Sequence, residues 1–314
     1  MPNSSERERA LILVNPRARR TGASGWRDRA VAEIAKRYAV ETVVPLDVAE
    51  LTRQARMAAG EGYAIVIAAG GDGTVNAIAQ ELRGSGTALG ILPLGSANDL
   101  ARELGIPRDV SAAARVIATG ATRLTDLVAV GSRVFCGVGG IALVARAALA
   151  VTRFKQRSGL TRGVADVLGG AVYRVSATAA LLGTWALDDE MQILYHAPGS
   201  GAQRVLDVRA SALFVANHRT LGGGLVLPID TDPSDGVLEI CLVPARSRHS
   251  LMLNFARLSA GRRIPPGVLE VVRATHAIIE TSREDAFVAD GELLATGKRF
   301  EVRVLSRALR VKSL

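Results

Sequence analysis

The sequence predicts an α/β N-terminal domain built on a parallel sheet, followed by a β-rich C-terminal domain. Three observations carry that expectation. Apolar strands alternate with helical periods as far as about residue 125, most later apolar stretches are short and separated by Gly, Pro and Asp, and 314 residues is about twice the length of one ordinary domain.

The elements follow in order. ALILVNP reads as a buried strand stopped by Asn15 and Pro16, and GWRDRAVAEIAKRYAV continues with helical spacing at Trp26, Ala30, Val31 and Ile34. VETVV is a strand, AELTRQARMAAG a helix closing on Gly60, YAIVIAA a strand, TVNAIAQEL a helix, and ALGILPL a strand leading into NDLARELG. Such alternation marks a parallel sheet covered by helices. From TDLVAVGSRVFCGVGG onward, strands are expected at RVLDVRASALFVANH, GVLEICLV, HAIIETS and FEVRVL, with helical character confined to 141–182. The domains are therefore placed at 10–126 and 127–299.

Charge and composition narrow the function classes. The 39 Lys and Arg against 30 Asp and Glu give a net charge of +9, and lysine occurs only at Lys36, Lys155, Lys298 and Lys312. A positive field suits nucleic acid, an acidic membrane face or a polyphosphate nucleotide. Aromatic content of 4% argues against stacking platforms, so no nucleic-acid partner is expected. Cys136, Cys241 and four scattered histidines offer no zinc spacing. No apolar run reaches the roughly 20 residues of a spanning helix and the polar N-terminus does not read as a signal peptide. The expectation is a cytoplasmic protein able to touch a membrane surface.

The chemistry sits in two glycine loops. In AAGGDGTVNAIAQEL the preceding strand is apolar on both faces, so Gly70 begins at the carboxyl end of a central strand, the edge where open α/β sheets bind ligands. Gly70, Gly71 and Gly73 let backbone N–H groups approach an anion, and a helix starting near Thr74 or Val75 points its positive end at the same place, with Val75, Ile78, Ala79 and Leu82 inward. A phosphate explains the glycines. Asp72 would repel a bare phosphate, so the loop calls for a divalent cation or a transferring proton beside it, the alternative being a capped turn. The next strand repeats the design, with Pro93, Gly95, Ser96, Asn98 and Asp99 at a helix start, where Asn98 and Asp99 could equally serve as caps. Neither the Walker A pattern nor the dinucleotide G-x-G-x-x-G occurs.

GGDGTVN, LGILPLGSANDLARELGIP, DGVLEICLV and VADGELL, in that order and at these separations, resemble the diacylglycerol kinase catalytic family of bacterial lipid kinases, which is related to sphingosine kinases and more remotely to NAD kinases. The resemblance implies an NAD kinase/diacylglycerol kinase-like fold with a sandwich-like second domain, a strand at about 300–314 returning to the first domain, and an active-site cleft between the two. It implies ATP- and Mg²⁺-dependent transfer of the γ-phosphoryl group to a lipid hydroxyl. Asn15, Gly70, Gly71, Asp72, Gly73, Thr74, Val75, Asn76, Gly95, Ser96 and Asn98 would then hold ATP. Asp72 and Asp99 would serve the magnesium-phosphate centre, and Glu292 in DGE would be the base on the lipid hydroxyl. Read without the family, ADGE is equally a hairpin turn.

LPIDTDPSDGVLEI resembles the family's structural magnesium loop, which maps the ligands onto Asp235 through its carboxylate, with Asp232 and Val237, flanking positions giving backbone carbonyls; a solvated loop is the alternative. HRTLGGGLVL, with Gly222–Gly224, is similar to the family's glycine-rich loop. Two departures concern the nucleotide: Pro45 stands where relatives often place a threonine, and Ala77 where they commonly show glutamate.

A lipid acceptor implies transient contact with the inner face of a membrane. Arg153, Lys155, Arg157, Arg162 and Arg174, interleaved with Phe154, Leu160, Val164, Val167 and Leu168, form the candidate surface. The sequence leaves a homodimer open. An NAD kinase-like small-molecule kinase and a non-catalytic nucleotide or lipid sensor remain the competing readings.

Overall fold

The computed structural model describes residues 7–16, 18, 25–156, 178, 188–221 and 225–314, with residues 151–156 described by backbone alone. The chain divides into two compact units, Met1–Thr125 with Arg307–Leu314, and Asp126–Ser306. Most of the membrane-surface segment expected at 153–174 and the Gly222–Gly224 loop lie outside the described residues.

The first unit runs β1 (Arg9–Val14), α1 (Trp26–Ile34), β2 (Ala39–Val43), α2 (Val48–Gly60), β3 (Ile65–Gly70), α3 (Asp72–Leu82), β4 (Ala88–Pro93), α4 (Asp99–Glu103) and α5 (Val110–Thr119). β1 pairs in parallel with β2 and with β3, and β3 in parallel with β4. Every residue of β3 and β4 is buried, as strands covered on both faces require. The helices pack in pairs, α1 with α5 and α2 with α3. Asp47 and Asp109 cap α2 and α5 by accepting from the amides of Glu50 and Ala112. α3 starts at Asp72, earlier than the apolar period indicates, because Gly71 takes the N-cap and the acid occupies the first turn, where the helix dipole favours it.

The second unit continues with β5 (Ala121–Val130, entering from the first unit), β6 (Arg133–Phe135), β7 (Val138–Ala142), α6 (Leu143–Gln156), β8 (Asp189–His196), β9 (Gln203–Ala216), β10 (Thr220–Leu221), β11 (Leu225–Val226), β12 (Leu238–Pro244), α7 (Arg248–Ser259), β13 (Glu270–Ala274), β14 (His276–Ala289) and β15 (Glu292–Ser313). Here the pairings are antiparallel. β7 and β8 follow one another between β9 and β14, while β12 pairs with the other side of β9. The end of β15 belongs to the first unit, where Arg310 and Val311 pair in parallel with Ala88 and Leu89 of β4.

Two elements differ from the sequence expectation. HAIIETS extends through SREDAFVA as one 14-residue strand, its register with β15 shifting between Glu280 and Asp285, so the polar interruption is a bulge and not an end. HSLMLNFARLS, in a region expected to hold only strands, is helix α7, started by Ser247 accepting from Ser250 N–H.

Phe135, Phe287 and Phe300 are fully buried and centre the core of the second unit, with ring centroids 6.0 and 5.8 Å apart along the series. Phe287→Ala is expected to destabilise this unit by about 3–5 kcal/mol, read as a lowered denaturant midpoint at unchanged m-value. A loss below about 1 kcal/mol would mean that the aromatic series does not centre the core.

Candidate active site

In the first unit the structure brings the two glycine loops together, and Asp72 does it. Parallel register sets Gly70 beside Pro93, so the loops leave adjacent strands side by side. The Asp72 carboxylate reaches across, its Oδ2 accepting from Asn98 N–H at 2.9 Å and its Oδ1 from Asp99 N–H at 2.6 Å. Asn98 holds the left-handed conformation, φ 53°, while its side-chain amide closes the loop by bonding both N–H and C=O of Gly95 at 3.0 and 2.8 Å. Asn98 therefore stands at the N-cap position of α4 without capping it by its side chain, in contrast to the cap reading.

The backbones meet at Gly71 and Gly95. A methyl group on Gly71 would lie 3.1 Å from Gly95 Cα, and one on Gly95 would overlap Gly71 Cα. Asn15, at the end of β1, joins the assembly: its N–H donates to Ala69 O and its Nδ2 to Thr74 Oγ1 at 2.9 Å. Val75 is buried, so only its backbone can face a ligand. Asn76 is buried with its Oδ1 lacking a hydrogen-bond partner. Gly73 is exposed and Gly70 and Ser96 lie at the same loops, with Ser96 O accepting from Arg108. Asp99 pairs with Arg102 at 3.5 Å.

This donor set fits a phosphate-bearing ligand. It offers glycine-lined backbone at the positive end of α3, while the unsatisfied Asn76 Oδ1, an acceptor, suits a hydroxyl or a cation and not a phosphate oxygen. Asp72 already accepts two backbone amides, so a divalent ion here would share its carboxylate with the loop and draw most of its oxygens from phosphate and water.

In the second unit Glu292 follows a two-residue hairpin. Asp290 and Gly291 both have positive φ, 48° and 82°, between the paired Ala289 and Glu292, as a type I′ turn demands. The Asp290 carboxylate fixes the turn by accepting from the N–H groups of Cys136 at 2.9 Å and Gly137 at 3.2 Å. Glu292 is half-exposed and its Oε2 lies 2.9 Å from Arg133 Nη2. A cavity of ≈ 190 Å³ opens beside the hairpin, with Asp290, Gly291 and Thr220 in a wall otherwise formed by apolar side chains such as Leu143, Val144, Phe214 and Phe255. A second cavity of ≈ 110 Å³ shares Leu143, Phe214 and Phe255. α6, which supplies Leu143 and Val144, is anchored at its start by Asp285, whose Oδ2 accepts from Ala142 N–H at 2.7 Å. Burial raises the Asp285 carboxyl above its ordinary range, against the pull of the Ala286 and Ala142 amides.

The residues expected to hold a structural cation stand before β12. Asp232 Oδ1 accepts from Ser234 N–H and Oγ–H, Asp235 Oδ1 accepts from Val237 N–H at 3.0 Å, and Asp235 Oδ2 is bonded by Arg273. Arg273 also places its Nε 3.4 Å from Glu239, a carboxylate that burial pushes up to about 7 against the attraction of Arg273. Unlike Asp72, which is bonded only by amides, Asp235 is paired with a guanidinium, so a divalent ion at this carboxylate would meet like charge and the arrangement does not fit one. Arg133, Asp126 and Arg273 are absent from the sequence reading, and Asp290 appears there only as part of the DGE motif, without a role of its own. Asp126 left one signal there, a lone acid inside the apolar LTDLVAV.

Comparison with known proteins decides the kinship. The diacylglycerol kinase catalytic domain model matches residues 9–130, and the YegS C-terminal NAD kinase beta sandwich-like domain model matches residues 167–313. A "Probable lipid kinase YegS-like" of Pseudomonas aeruginosa (strain UCBPP-PA14) is 30% identical over 263 residues, 80% of this chain and 76% of that protein. The chain belongs to the diacylglycerol kinase catalytic family. A protein named "Diacylglycerol kinase" of Mycobacterium tuberculosis (strain ATCC 25618 / H37Rv) is 26% identical over 309 residues, 96% of this chain and 94% of that one. The crystal structure of a diacylglycerol kinase from Bacillus anthracis str. Sterne superposes with a TM-score of 0.74 at 19% identity, covering 98% of each chain, which extends the likeness of fold to the full length.

Within this family of lipid kinases, the first unit carries the GGDG and GSAND loops and the second carries the DGE hairpin. Asp72→Asn should release the GSAND loop, because the amide nitrogen that replaces one oxygen cannot accept an N–H. The expected result is about tenfold or faster hydrogen exchange at the amides of Asn98 and Asp99 and a loss of about 1.5–3 kcal/mol in stability. Unchanged exchange at both amides would show that the carboxylate does not hold the loop.

Proposed function

We propose that the protein is an ATP- and Mg²⁺-dependent kinase whose acceptor is a lipid hydroxyl, diacylglycerol or a related lipid. The observation that carries the acceptor assignment is the apolar cavity walled in part by Asp290 and Gly291, immediately before Glu292. An aliphatic chain suits that lining, and a charged dinucleotide acceptor does not.

The assigned roles follow from the contacts. The glycine loops of the first unit receive the nucleotide phosphates, with Asn15 setting Thr74 and Asp72 setting the GSAND loop. Magnesium, when bound with the nucleotide, neutralises charge on the transferring phosphoryl group. Glu292 accepts the proton of the acceptor hydroxyl as that oxygen bonds to the γ-phosphorus and the bond from phosphorus to the β-bridging oxygen breaks, leaving ADP and a lipid phosphate. A lipid alcohol ionises far above neutral pH, so a carboxylate acting during transfer is the effective device. Arg133 holds Glu292 in place. The basic and apolar segment 153–174 is assigned to transient contact with the membrane inner face that supplies the acceptor.

Incubation with γ-labelled ATP, Mg²⁺ and lipid extract in mixed micelles, followed by thin-layer chromatography, tests the reading. A labelled lipid is expected, whereas label appearing only in NADP⁺ when NAD⁺ is supplied would favour the small-molecule kinase. Glu292→Gln should depress kcat by roughly 10²–10⁴-fold with ATP affinity retained. Turnover near wild type would remove Glu292 as base. Ala147→Phe, which fills the cavity from α6, should raise KM for a long-chain acceptor by about tenfold while leaving KM for ATP unchanged. Equal effects on both substrates would detach the cavity from acceptor binding.

A further inference from the structure

Three carboxylates converge on the loop before β12, and a single guanidinium joins two of them. Asp126 is 0% exposed, its Oδ2 accepts from Gly236 N–H at 2.7 Å, and its own N–H donates to Pro233 O at 2.6 Å. Glu239 is 2% exposed and stands directly opposite Arg273 in the antiparallel pairing of β12 with β13. Arg273 bonds Asp235 through Nη2 and approaches Glu239 at 3.4 Å through Nε, so one planar fork spans the loop and the strand that follows it. The remaining Asp235 oxygen accepts from Val237 N–H, which closes the loop on itself. Gly236, between them, takes φ 75° to make that closure possible.

Buried and half-buried carboxylates in such proximity need a positive partner. The family resemblance places a magnesium ion at Asp235, but one oxygen of that carboxylate is bonded by a guanidinium and the other by the Val237 amide, and a divalent cation entering beside Arg273 would meet like charge. We infer that Arg273 is the resident cation of this loop, standing in place of a structural metal, so that the folding of the second unit does not depend on a divalent ion. The guanidinium is delivered by β13, whose register with β12 fixes Arg273 opposite Glu239.

Thermal melting of the nucleotide-free protein tests this, in magnesium chloride, in EDTA and in sodium chloride of matched ionic strength. The wild-type curves should coincide, and isothermal titration of nucleotide-free protein with Mg²⁺ should show no site. Arg273→Gln should lower the melting temperature by about 2–8 °C, and Arg273→Lys, which keeps the charge without the fork, should recover part of the loss. A wild-type curve raised by Mg²⁺ and lowered by EDTA overturns the inference, as does Arg273→Gln melting like wild type. If Arg273→Gln does not fold, Arg273→Lys decides: partial destabilisation without Mg²⁺ dependence supports the guanidinium, and Mg²⁺-dependent melting rejects it.

Discussion

The Asp72 carboxylate, bonded to two successive backbone amides of the neighbouring loop, is the contact on which the architecture of the two glycine loops rests. Glycine loops are conformationally permissive, and permissiveness works against a binding site unless something else fixes the backbone. Here an anion internal to the protein does so. Asp72 sits in the first turn of α3 and takes N–H groups from the start of α4, so the two loops are held to each other as well as to their own strands. The close approach of Gly71 to Gly95 follows from that clamp, since neither position has room for a side chain once the loops are drawn together. Asn15 extends the same logic to a third strand through Thr74. A carboxylate in a glycine loop thus has a use before any ligand arrives.

The second unit solves a similar problem by the same means. A type I′ turn costs backbone freedom at a non-glycine residue, and Asp290 offsets that cost by accepting amides from the Cys136–Gly137 segment. The strand after the turn then begins with Glu292 in a fixed position, where Arg133 takes its outer oxygen. Because the turn also forms part of the wall of the apolar cavity, the proposed placement of an acceptor chain there would be linked to the placement of the carboxylate through one hairpin. The hairpin reading and the functional reading of DGE are therefore compatible: the turn is what presents the glutamate.

How much of this was legible in the sequence depends on the range of the interaction. β3 and β4 announce themselves as unbroken apolar runs, and Val75, Ile78, Ala79 and Leu82 line the buried side of α3 as their spacing indicates. The motif residues were legible as a set, but not what they touch. Asp72 meets Asn98 and Asp99 only because β3 and β4 are neighbours in one register, and Asp235 lies 38 residues from Arg273. Asp126 reads as an intrusion in an apolar strand until its partner, the Gly236 amide 110 residues later, is known. Helix α7 was missed because SLMLNFARLS is short and follows several strands, while its start depends on Ser247. The polar SRED run hid the length of β14, since a bulge absorbs polar residues that would end a flat strand.

The arginine excess takes on meaning at these points. Lysine would supply the same charge, but Arg133, Arg146 and Arg273 each meet a carboxylate on a different element of the second unit, and Arg273 meets two. A planar fork can do that while losing less freedom for each bond formed than a flexible ammonium. A tethered cation also differs from a diffusible one in how it stabilises. A bound ion contributes in proportion to the logarithm of its concentration over its dissociation constant, so a loop closed by metal weakens whenever the ion is withdrawn. A loop closed by a side chain has its counter-charge at fixed effective concentration, set by the register of β12 with β13. For a protein whose nucleotide would itself compete for magnesium, closing the loop with a guanidinium separates the integrity of the second unit from the ion traffic of its proposed reaction.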